Sequence, residues 1–119
     1  MTEKQPILAY LACPYNHPDP AIKEYRHHQV NCAAAQLIAD GIFVVSPLTH
    51  NIPLFQTGLR QGWDLWKSYD FTLIKRCDKL IVLKLDGWEL SKGVADEIAY
   101  AQELNLPIEY LDPPLNASH

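Results

Sequence analysis

The sequence predicts an α/β fold: one domain on a doubly wound parallel sheet of four to five strands, flavodoxin/Rossmann-like, with helices on both faces. Three observations carry this. Short apolar runs of strand length alternate with longer stretches whose apolar residues recur at helical spacing, in the order βαβαβαβ. Strands joined through helices run parallel, by right-handed crossovers. The length of 119 residues, 48% of them hydrophobic, matches one compact domain with a single core.

The elements follow in order. Ile7 to Ala12 reads as the first strand, and Cys13 to Pro20 as a Pro-rich turn in which Asp19 and Pro20 form an N-cap and first-turn pair. The first helix runs to about Asp40 and stops at Gly41, a typical residue just beyond a helix. Ile42 to Val45 is the second strand. Ser46 to Thr57 reads as a loop with Pro47 and Pro53, with space for one helical turn. Gly62 to Cys77 is the second helix, Lys79 to Leu85 the third strand, and Ser91 to Asn105 the third helix; Ile108 to Leu111 is a last strand after Pro107. No repeat or low-complexity segment interrupts this order. In such a fold ligands sit at the carboxyl ends of the strands, here Cys13 to His17, Ser46 to His50 and Asp86 to Ser91.

Composition narrows the partners. A net charge of −4 with no basic run argues against a nucleic-acid polymer, which needs clustered Lys and Arg. No apolar run approaches the roughly 18 residues of a membrane span, and MTEKQP lacks the apolar centre of a signal peptide, so no membrane partner and a cytoplasmic location are expected. Cys13, Cys32 and Cys77 are odd in number and show no CxxC spacing, as for reduced thiols. His17, His27 and His28 show no metal-ligand spacing, so no metal site is expected. A small-molecule ligand is favoured.

Two carboxylates interrupt otherwise apolar helix faces. In the stretch LDGWELSKGVADE the third helix opens at Ser91, and Val94, Ile98, Ala101 and Leu104 form its inward stripe with Glu97 inside it. On the second helix Trp63, Trp66, Leu73, Ile74 and Cys77 share a face with Asp70 near its centre, whereas Asp64 and Lys75 lie off it. A carboxylate turned inward must be paired, hydrogen-bonded or protonated, because burying it bare costs several kcal/mol. Paired carboxyls in different environments equip glycosyl chemistry, one attacking and the other handling a proton. A purely structural role, with either group bonded to a buried Arg, Tyr or Trp, stays open at this point. Arg26 lies in the first helix's stripe of Ile22, Val30, Ala33 and Leu37, placed to orient a phosphate or to form a buried ion pair. Ser91 is a natural N-cap, beside which the amides of Lys92 and Gly93 could receive an anion. Tyr10 and His50 lie near strand ends, where a ligand contact and plain packing are both open.

Three segments, ILAYLACPY, DFTLIKRCDKLIVL and SKGVADEIAYA, together resemble the nucleoside 2-deoxyribosyltransferase superfamily over most of the chain and in the right order. The resemblance implies that Glu97 is the nucleophile that attacks the sugar's anomeric carbon, that Asp70 contacts the base or its proton, and that Tyr10 is an active-site tyrosine. Transferases of free nucleosides usually carry an Asp six residues before that Glu, where this chain has Ser91. The serine resembles the branch that hydrolyses deoxyribonucleoside 5′-monophosphates, in which it helps hold the phosphate. That branch has a Gly- and Arg-rich loop after the first strand; CPYNHPDP stands there here. SPLTH and LDGW bring the likeness closest to short bacterial and phage members of the superfamily. The activity implied is cleavage or transfer at the N-glycosidic bond of a nucleoside or nucleoside 5′-monophosphate through a glycosyl-enzyme intermediate, with no cofactor. A homodimer or larger homo-oligomer is also implied, with the tail Asp112 to His119 a candidate to reach a neighbour. The alternative is a nucleotide-binding module of the same fold without turnover.

Overall fold

A computed structural model of the chain describes residues 6–59 and 62–114. Its elements are β1 (Leu8–Ala12), α1 (Pro20–Ala39), β2 (Phe43–Val45), α2 (Pro47–Phe55), α3 (Trp63–Lys75), β3 (Lys79–Leu83), a 3₁₀ turn (Trp88–Leu90), α4 (Lys92–Glu103) and β4 (Ile108–Leu111). The four strands form one sheet in the order β2-β1-β3-β4, with every neighbouring pair parallel. Register places Tyr10 opposite Val45 on one side and Leu80 on the other. The expected doubly wound α/β arrangement is therefore present, with four strands. No helix among the described residues is long and apolar enough to cross a membrane.

Strand alternation divides the core into two layers. Ala9, Leu11 and Cys13 pack with Val30, Ala33 and Leu37 of α1 and with Ile81 and Leu83. Tyr10 and Ala12 pack instead with Leu80, Val82 and Ile74, and with Val94 and Ala101 of α4. Each fully buried aliphatic side chain contributes about 1.5–3 kcal/mol of transfer free energy. Both faces of β1 are thus spent on the core, and its carboxyl end is left to meet a ligand.

Helix ends follow local chemistry. Asp19 caps α1, its Oδ1 accepting from the Ala21 amide at 2.9 Å, with Pro20 at the first position. The chain leaves α1 through Gly41 at φ +88°. Ser91 caps α4, its Oγ accepting from the Val94 amide at 3.2 Å. The segment 46–57 departs most from expectation: instead of a loop with one turn it holds the nine-residue helix α2. Pro47 sits at the helix start, where no amide donor is needed, and Pro53 lies past the first turn, where it removes a single backbone hydrogen bond. Buried Asn51 and Ile52 anchor the helix despite that loss. The Trp63 side chain and the tail beyond residue 114 lie outside the described residues.

Arg26 ties the loops after β1 and β3 together. Its Nη1 donates to the Asn16 carbonyl and its Nη2 to the Asp86 carbonyl, both at 3.0 Å. Gly87, at φ +87°, lies so close that an added Cβ would stand 3.0 Å from Nη2 of Arg26. Gly87→Ala combines a left-handed backbone with displacement of an anchored guanidinium, so it is expected to cost about 1–3 kcal/mol. A urea midpoint lowered at unchanged slope would show it; an unchanged midpoint would mean that the turn relaxes freely.

Candidate active site

The sheet order places a topological switch between β1 and β3, since the chain moves from β1 to β2 on one side and returns to β3 on the other. A cleft of about 970 Å³ opens at their carboxyl ends. β1 and the residue that follows it supply Tyr10 and Cys13, α2 supplies Asn51, α3 supplies Asp70, and α4 with its N-cap supplies Glu97 and Ser91. Four elements separated in sequence thus converge on one space.

Glu97 and Asp70 both line this cleft and both are buried. The Tyr10 hydroxyl donates to Oε2 of Glu97. Burial pushes the Glu97 carboxyl up to about 8; the Tyr10 donor opposes that, and the charges of Asp70 and Asp96 add to it. Burial also lifts Asp70 to about 6, held back by Asn51, whose Nδ2 donates to Oδ1 of Asp70 at 3.2 Å. Between these two values the pair holds one proton. The Tyr10 hydroxyl is pushed well above its ordinary range by burial and by Glu97, and so stays a donor. Cys13 is pushed up to about 12 by burial and remains a neutral thiol.

A second layer fixes these groups. With Nδ2 of Asn51 turned to Asp70, its Oδ1 accepts from Nδ1 of His50 at 2.9 Å. His50 itself stacks on Tyr69 with ring centroids 6.1 Å apart. Trp66 forms an apolar wall of the cleft and meets Phe55 edge-on at 4.8 Å. Among the described residues no three His, Cys, Asp or Glu side chains cluster as metal ligands.

The residues singled out from sequence fall into two groups. Glu97, Asp70, Tyr10, Ser91, Lys92 and Gly93 all line the cleft. Arg26 and His50 do not. Arg26 lines a neighbouring cavity of about 410 Å³ and spends two of its donors on backbone carbonyls, whereas His50 reaches the cleft only through Asn51. The sequence reading missed Asn51, Tyr15 and Lys23, which also line the cleft. Asn51 had a signal: once 47–55 is read as helix, it shares a face with Leu48 and Phe55.

A family model described as "Domain of unknown function (DUF1937)" matches residues 7–111. No curated protein matches the chain. Among solved structures it is similar to a 2-desoxiribosyltransferase from Leishmania mexicana, with a TM-score of 0.59 and 24% sequence identity. That match covers 90% of this chain and 65% of the other, so the chain spans less than two thirds of that protein's length. The likeness is one of fold.

Proposed function

The chain belongs to the DUF1937 family, and from its site we propose that it cleaves or transfers at the N-glycosidic bond of a nucleoside or nucleoside 5′-monophosphate. One observation carries the reading: two buried carboxyls, one of them held by a tyrosine hydroxyl, share a single cleft at the switch point of the sheet. The resemblance of SKGVADEIAYA to the nucleoside 2-deoxyribosyltransferase superfamily and the fold shared with the Leishmania mexicana protein support it.

In the proposed mechanism the proton that the pair shares passes from Glu97 to Asp70, and the Glu97 carboxylate so formed attacks C1′ of the sugar as the C1′–N bond breaks. The electron pair of that bond passes to the base nitrogen, which takes the proton of Asp70. A glycosyl ester of Glu97 results. Water, deprotonated by the Asp70 carboxylate, or a second base then attacks C1′ and frees Glu97, so the anomeric configuration is retained overall. Tyr10 holds the nucleophile in place, and Asn51 holds the acid. The start of α4 at Ser91, with the Lys92 and Gly93 amides, receives the phosphate of a nucleotide substrate. A homodimer or larger assembly is part of the same reading, and sedimentation tests it.

A second reading, nucleotide binding without turnover, is favoured by the raised value of Glu97, which keeps most of that group protonated at neutral pH. A chromatographic screen of nucleosides and their 5′-monophosphates, with and without a second free base, separates the two. The enzyme reading expects free base, or an exchanged nucleoside when a second base is present. Ligand-induced thermal stabilisation with no base released would leave the binding module. No stabilisation and no release from any of them would leave the carboxyls a structural role.

A further inference from the structure

We propose that Lys23 reads the 5′-phosphate of a nucleotide in the cleft, an inference that rests on the nucleoside or nucleotide reading above. Lys23 is a half-buried residue of α1 that lines the cleft beside Tyr15. Its Nζ lies 5.5 Å from the centroid of the Tyr15 ring. Among the described residues no carboxylate stands within 4.0 Å of that ammonium.

The other cations near the cleft are committed elsewhere. Arg26 gives Nη1 and Nη2 to the carbonyls of Asn16 and Asp86. Lys92 points along its own helix to Asp96, with Nζ 3.2 and 3.4 Å from the two carboxylate oxygens, and its side chain is 81% exposed. Lys23 keeps its donors free, because a ring face offers an ammonium no hydrogen-bond acceptor of full strength.

Its position is also costly without a ligand. Lys23 is the fourth residue of α1, at the end where the helix macrodipole disfavours a cation, and the first turn holds no acidic residue. The nearest acid in sequence on the N-terminal side, Asp19, turns its carboxylate to the Ala21 amide. An ammonium half-buried near a helix N-terminus gains from an anion brought beside it. That anion does not sit beside the carboxyls, since the negative charge that Glu97 and Asp70 share repels it there. The phosphate received at the start of α4 is therefore placed on the side of the cleft toward Lys23, and the neutral sugar and base extend to the carboxyls.

Lys23→Met keeps an unbranched stem over Tyr15 and removes the charge; Lys23→Arg keeps a cation. Calorimetric titration with a 2′-deoxynucleoside 5′-monophosphate and with the same nucleoside, in wild type and both variants, tests the assignment without requiring turnover. Lys23→Met is expected to weaken the monophosphate by about 10- to 100-fold, the range of a lost charge-assisted contact. The nucleoside is expected to change by less than about twofold, and Lys23→Arg to recover most of the loss. Equal loss for both ligands, no loss for either, or a wild type that binds the monophosphate no better than the nucleoside would overturn the role of Lys23. If the monophosphate is bound selectively through Lys23 yet no base is ever released, the glycosyl chemistry fails and the assignment of Lys23 stands.

Discussion

Glu97→Gln is expected to lower base release on the order of 10⁴-fold or more, as removal of a nucleophile does, while the domain stays folded. The amide oxygen can still accept from the Tyr10 hydroxyl, so the contact across the cleft survives. The same substitution has a signature in stability. Folded Glu97 holds its proton up to about pH 8, whereas its ordinary value is 4.5, so between these limits the folded state carries more protons than the unfolded one. Stability then falls as pH rises, by an amount on the order of 5 kcal/mol across the whole window. Below the lower limit both states are protonated and the penalty vanishes; above about pH 8 it is complete. Asp70, raised to about 6, acts in the same direction over the lower part of the range. Wild type should therefore melt at a lower temperature at pH 8 than at pH 5. Glu97→Gln should flatten that slope and be the more stable protein at pH 8. Wild-type turnover in the variant would assign the nucleophile to another residue, and a variant unfolded throughout the range would make Glu97 a structural group.

The strands, the long helices and the two carboxyls were legible because each is written in a local period. Glu97 and Asp70 stood out as charges on apolar stripes of helical spacing, and both line the cleft. Helix α2 was hidden because two prolines read as loop, although Pro47 sits where a helix needs no donor and Pro53 costs only one. Asn51 was hidden with it, since its meaning depends on the face it occupies. Arg26 was visible as an inward cation, yet its partners are carbonyl oxygens of two distant loops, and no side-chain pattern encodes a backbone acceptor. Lys23 was invisible for a related reason. Its significance lies in the absence of a neighbouring carboxylate among the described residues, which only the folded arrangement shows.

Asp70→Asn should lower kcat/KM by about 10²- to 10⁴-fold, the usual contribution of a general acid, but only for substrates whose base needs a proton to leave. A nucleoside with an N7-methylated purine departs as a neutral base without that proton, so its rate should fall far less. The wild-type profile is expected to be bell-shaped, with limbs near pH 6 and pH 8, because the pair holds two protons below the first and none above the second. Below the first limb Glu97 cannot attack; above the second Asp70 cannot donate. Those limbs belong to the pair and not to either residue alone. In Asp70→Asn one charge that raises Glu97 is gone, so the bell should collapse to a single rising limb with its midpoint below about 8. The amide Nδ2 of Asn51 can still donate to the carbonyl of the new side chain, which keeps the geometry. Equal loss on both substrates with the bell intact would mean that Asp70 binds or braces and does not transfer the proton.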